Sequence, residues 1–103
     1  METVEVNKEN WSGEKAKVEF GEREGNTQKF RLPDHGEFTL VFKEPVGDAP
    51  YVFHGAAVTQ DGRTILTGGK FEDDKCWGFS SMGVEREHEH PAVAAALVIF
   101  MVV

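Results

Sequence analysis

Along most of this chain, apolar and polar residues alternate with a period of two. That is the mark of strands with one face in a core. In the stretch from Phe38 to Lys43, Phe38, Leu40 and Phe42 fall on one side and Thr39, Val41 and Lys43 on the other. Lys15 to Phe20 repeats the pattern, with Ala16, Val18 and Phe20 on one face, and Thr27 to Leu32 continues it with Phe30 and Leu32 inward. Thr3 to Val6 alternates weakly and reads as a short edge strand. Tyr51 to Thr59 and Arg63 to Thr67 are strand-like. Cys76 to Met82 reads as a strand carrying Trp77 and Phe79 on one face.

Turn chemistry separates these runs. Pro45 and Pro50 interrupt the stretch from Glu44 to Pro50, because proline cannot donate to a ladder. Asp61-Gly62 supplies the positive backbone angles of a tight hairpin. Gly21 to Asn26 and Pro33 to Gly36 are further turns, and the adjacent Gly68 and Gly69 predict a bulge or a wide turn. The result is an all-β chain of about seven to eight strands. We expect an antiparallel β-sandwich or jelly roll, folded as one domain over residues 1–103.

The last run, Ala92 to Val103, fits two elements. Pro91 at a first turn and the alanines favour a helix. Val98, Ile99, Phe100, Val102 and Val103 favour a strand, and the strand-rich context selects a strand. That strand is apolar on both faces and must be covered on both. The core covers one. A second copy of the chain is the simplest cover for the other, making Ala92, Ala94, Ala96, Val98 and Phe100 the expected interface of a homo-oligomer.

Composition narrows the function. Of 103 residues, 18 are Asp or Glu and 11 are Lys or Arg, giving a net charge of −7. An acidic domain repels phosphate backbones, so nucleic-acid binding is not expected. Cys76, the one cysteine, cannot form an intrachain disulfide. The N-terminus lacks a basic region followed by an apolar run, so no signal peptide is expected. The twelve apolar residues from Ala92 are too few to span a bilayer as a helix. These features predict a soluble protein, cytoplasmic or virion-associated, with no membrane insertion.

Three constellations could carry chemistry. On a strand, His88 and His90 project to one side about 7 Å apart, where neutral imidazoles could share a divalent metal. A complete site would need His54, a carboxylate or other subunits; the plain alternative is a solvated charged loop. Glu72-Asp73-Asp74 lacks the spacing of a calcium loop and reads as a solvated turn. Trp11, Tyr51 and Trp77 could stack on sugar rings, with Arg63 among the polar groups that bind hydroxyls. Core packing is the alternative for Trp77. No nucleophile elbow or phosphate loop is present.

The order of segments resembles that of H-type lectins and the related C-terminal domains of phage tail fibres. The strand Phe38-Thr39-Leu40-Val41-Phe42 is followed by a loop, then Ala49-Pro50 and an apolar strand. Next come the Asp61-Gly62 turn, Trp77-Gly78-Phe79 and a long apolar C-terminal run. The likeness covers roughly residues 12–103 as a pattern. It differs where the family's last strand carries a Trp and this chain has Ile99-Phe100-Met101. The resemblance implies an antiparallel sandwich that trimerises through its terminal strands and binds surface glycans.

These observations lead to an expected non-enzymatic recognition or structural module, a homo-oligomer with a trimer favoured. It would bind a glycan or protein partner and could be phage- or virus-related. A small acidic inhibitor or anti-defence protein acting by protein contact is the alternative. A metal-dependent jelly-roll enzyme using His54, His88 and His90 is the third.

Overall fold

The alternating runs build two antiparallel sheets in a computed structural model. It describes residues 1–8, 13–46, 53–73, 76–81 and 83–102, and at 44–46, 53–55, 70–73, 76, 77 and 81 the backbone alone. Six strands lie side by side in chain order: β1 (Glu2–Asn7), β2 (Lys15–Phe20), β3 (Thr27–Leu32), β4 (Gly36–Val46), β5 (Phe53–Gln60) and β6 (Arg63–Thr67). A second sheet holds β7 (Lys70–Asp73), β8 (Cys76–Ser81) and β9 (Val84–His88). The fold is predominantly β and antiparallel, as the alternation predicts. Two strands go beyond that reading: β7 lies in the acidic stretch and β9 in the charged VEREH segment.

Asp61-Gly62 turns as expected, whereas the break expected from Glu44 is corrected: β4 runs on through Pro45 to Val46. Asp61 and Gly62 both take positive φ, 53° and 79°, so β5 and β6 close on a two-residue hairpin. Pro45 lies within β4, where the register to β5 shifts between Phe42 and Pro45. A bulge is where a strand tolerates proline. Gly68 and Gly69 carry the chain from one sheet to the other. The Gly68 N–H donates to the Ala56 carbonyl at 2.9 Å, and a Cβ on Gly68 would overlap the Ser80 carbonyl oxygen. That close approach joins the sheets at one seam. At the other, the Arg86 guanidinium of β9 donates to the Lys8 carbonyl, just past β1, at 3.4 Å.

The C-terminal run is a helix, α1 (Pro91–Val102), which corrects the expected strand. Extended, twelve residues would reach about 40 Å, beyond the molecule's longest extent of 37 Å. As a helix they measure about 18 Å. Pro91 takes the first helical position, where its missing N–H costs no bond, and the Ala94 N–H closes the first turn on the His90 carbonyl at 3.0 Å. The helix is apolar all round, the pattern of a helix buried on every side. It packs on β8 and β9 of one sheet and on β2 and β3 of the other.

The expected interface is therefore corrected as well. Ala92, Ala94, Ala96 and Val98 are each 0 % exposed within a single chain. Phe100 is half-buried and packs against the same core. Cover on every side is required, as the apolar pattern demands, but the chain's own two sheets supply it. The core is one cluster that includes α1 together with Val18, Phe30, Leu32, Leu40, Val58 and Phe79. Phe30 and Phe38 face each other across β3 and β4 with their rings stacked at 5.3 Å. The radius of gyration, 12.8 Å, matches one domain of this length, for which about 13 Å is expected. No helix among the described residues is long and apolar enough to cross a membrane.

Candidate functional site

Where the six-stranded sheet ends beside the start of α1, the inward register changes from apolar to polar. Across the sheet, Gln28, Leu40, Val58 and Leu66 form one inward row, each paired with the next. Leu40, Val58 and Leu66 are core residues. Gln28 heads the row, and its side chain is carried inward by the same alternation that buries Phe30 and Leu32. The neighbouring row runs Glu2, Phe20, Phe30, Phe38. Glu2 thus shares the inward parity of Val4 and Val6 at the tip of an edge strand. Glu22 lies two residues past β2, in the turn that leads into β3.

These residues enclose an open cleft of about 550 Å³ lined by Met1, Glu2, Phe20, Gly21, Glu22 and Gln28. A smaller groove with Glu24, Thr27 and Lys29 shares Met1, Gly21 and Glu22 with it. Gln28 is 8 % exposed. Its Nε2 donates to the Gly21 carbonyl at 2.9 Å, which sets the amide orientation, since a flip would oppose two oxygens. Its Oε1 is closed off from water and has no hydrogen-bond partner among the described residues. A buried acceptor left unpaired costs about 1–3 kcal/mol.

Next to the cleft, the predicted histidine pair has structural work. The His90 N–H donates to His88 Nδ1 at 3.1 Å, and the His90 carbonyl starts α1. His88 therefore holds the residue that launches the helix, and only its Nε2 is left for another ligand. The two rings stack with centroids 5.6 Å apart, and His90 leans on Phe20 at 4.9 Å. Burial, then the neighbouring His90, lowers the pKa of His88 below its usual value, against the opposing pull of Glu89. Among the described residues no three His, Cys, Asp or Glu side chains are grouped to hold a metal.

The other predicted site residues are dispersed. Trp11 and Tyr51 lie outside the described residues. The backbone places His54 on β5 opposite Pro45, and Trp77 on β8 opposite His88. Arg63 is exposed at the start of β6, beside the Asp61-Gly62 turn. Near Phe100, toward the far end of α1, a second cleft of about 330 Å³ has lining of mixed charge, including Lys8, Glu14, Lys15, Asp34 and His35. There Lys8 pairs with Glu14 at 3.2 Å and sits over the Phe100 ring at 5.9 Å. One acid–base pair of this lining is thus already closed.

Sequence reasoning missed Gln28, although a signal was present. In Thr27 to Leu32 the inward positions are Gln28, Phe30 and Leu32, and a glutamine in that register is the exception. No protein family, curated protein or solved structure matches this chain.

Proposed function

We propose that this chain is a non-enzymatic recognition module, acting as a single copy, that takes its ligand in the cleft around Gln28. The Oε1 of Gln28, buried without a partner among the described residues, carries the reading. A glutamine at a core register costs stability that leucine would not, and such exceptions to core chemistry concentrate at functional sites. The edge strand and the β2–β3 hairpin bring Glu2 and Glu22 to the same opening. All are hydrogen-bond acceptors, which suits the donors of a glycan or of a peptide. The trimeric reading loses its physical basis, because the side chains that would have formed its interface are inside the core.

The test is to screen a glycan panel and an oligopeptide panel, then map binders by changes in amide chemical shift. Expected are ligand-dependent shifts centred on Glu2, Gly21, Glu22 and Gln28, from a protein whose light scattering reports one chain. Binders that shift only residues elsewhere on the sheets overturn the assignment.

A further inference from the structure

We propose that the group received by the cleft is a primary ammonium on a short alkyl chain, as in a diamine or a lysine-like amine. This deepens the recognition reading and rests on it. Three neighbouring segments contribute to one opening: Glu2 from β1, Glu22 from the turn after β2 and Gln28 from β3. Two carboxylates line it against one cationic group, the ammonium of Met1, which is exposed at the rim. Gln28 lines the same opening, and its amide oxygen has no donor among the described residues.

An ammonium group brings three N–H donors and no acceptor. It can give one to the Gln28 oxygen and two to the carboxylates, meeting charge and hydrogen bonding together. A chloride or phosphate would meet three acceptors and be repelled. A neutral hydroxyl would satisfy Gln28 but leave the carboxylate charge unanswered. The alkyl stem of the ligand would lie toward Phe20, the one aromatic wall of the cleft. Because Oε1 is closed off from water, the side chains around it must shift to admit the ammonium. The chain's net charge of −7 favours the approach of cations. His90, at the positive end of α1, contacts Phe20 but does not line the cleft.

The experiment titrates 1,4-diaminobutane into the folded protein at pH 7.5 and low salt, following backbone and side-chain amides by NMR. Butane-1,4-diol is the neutral control of the same length. Saturable shifts of the Gln28 side-chain amide and the Gly21 backbone amide are expected with the diamine and not with the diol. Gln28→Met, which keeps length and removes the acceptor, should weaken binding about tenfold or more. Glu22→Gln sits at an exposed position, so it leaves the fold intact and should weaken binding several-fold. Equal binding of diol and diamine in the cleft overturns the ammonium assignment and leaves the recognition site standing. Diamine shifts scattered over the acidic surface, unsaturated and indifferent to Glu22→Gln and Gln28→Met, overturn it as general counter-ion attraction. If the glycan or peptide binders also map elsewhere, the recognition site falls with it.

Discussion

The backbone N–H of His90 donates to Nδ1 of His88 across 3.1 Å, and the next group along, the His90 carbonyl, accepts the first hydrogen bond of α1. A side-chain acceptor two residues back thus orients the residue that launches the buried helix. An imidazole accepts at Nδ1 only while that nitrogen is unprotonated.

A pH dependence of stability follows. Burial and the neighbouring His90 lower the pKa of His88 below 6.5 in the fold. Between 6.5 and that lower value the unfolded chain binds more protons than the folded one, so stability rises with pH. The contribution is complete above 6.5 and is lost as pH falls through the lowered value. Thermal melts should show a lower Tm at pH 5.5 than at pH 7.5. His88→Ala should flatten that difference and lower Tm at pH 7.5. An unchanged slope in the variant would assign the pH effect to other groups.

Gly68→Ala should be among the most damaging small substitutions. Gly68 holds φ at 143°, and its Cβ would meet the Ser80 carbonyl oxygen across the seam between the sheets. Both backbone strain and overlap oppose the change, together about 2 kcal/mol or more. The midpoint of urea unfolding measures it. Gly13→Ala, where a Cβ meets nothing within 4 Å, is the matched control and should stay within about 0.5 kcal/mol.

Ala95→Leu tests where the helix lies. Ala95 is fully buried inside one chain, so the added bulk should cost about 1–3 kcal/mol. The loss should be independent of protein concentration. A Tm that rises with concentration in the parent protein and ceases to do so in the variant would place this residue at an interface between copies instead.

Gly62→Ala should loosen the β5–β6 hairpin by about 1–2 kcal/mol, the cost of holding an L-residue in the left-handed region. Gly62 has φ of 79° and open space around it, so the cost is conformational alone. Hydrogen exchange at Thr59 and Thr64, paired beside the turn, should accelerate first.

The residues that spoke for themselves were those whose message is local. In β2, β3 and β4, Val18, Phe20, Phe30, Leu32, Phe38, Leu40 and Phe42 alternate with polar neighbours. That period depends only on the pleat, so the faces could be assigned without knowing what they pack on. Asp61-Gly62 likewise named its own turn. The stretch from Pro91 to Val102 carries no such period, because it is apolar in every direction. Its neighbours alone decided between strand and helix, and the helix packs between strands of both sheets. The same holds for Gln28. Its inward direction could be read from the strand, but whether its oxygen would find a donor depended on which groups the folded chain brought beside it.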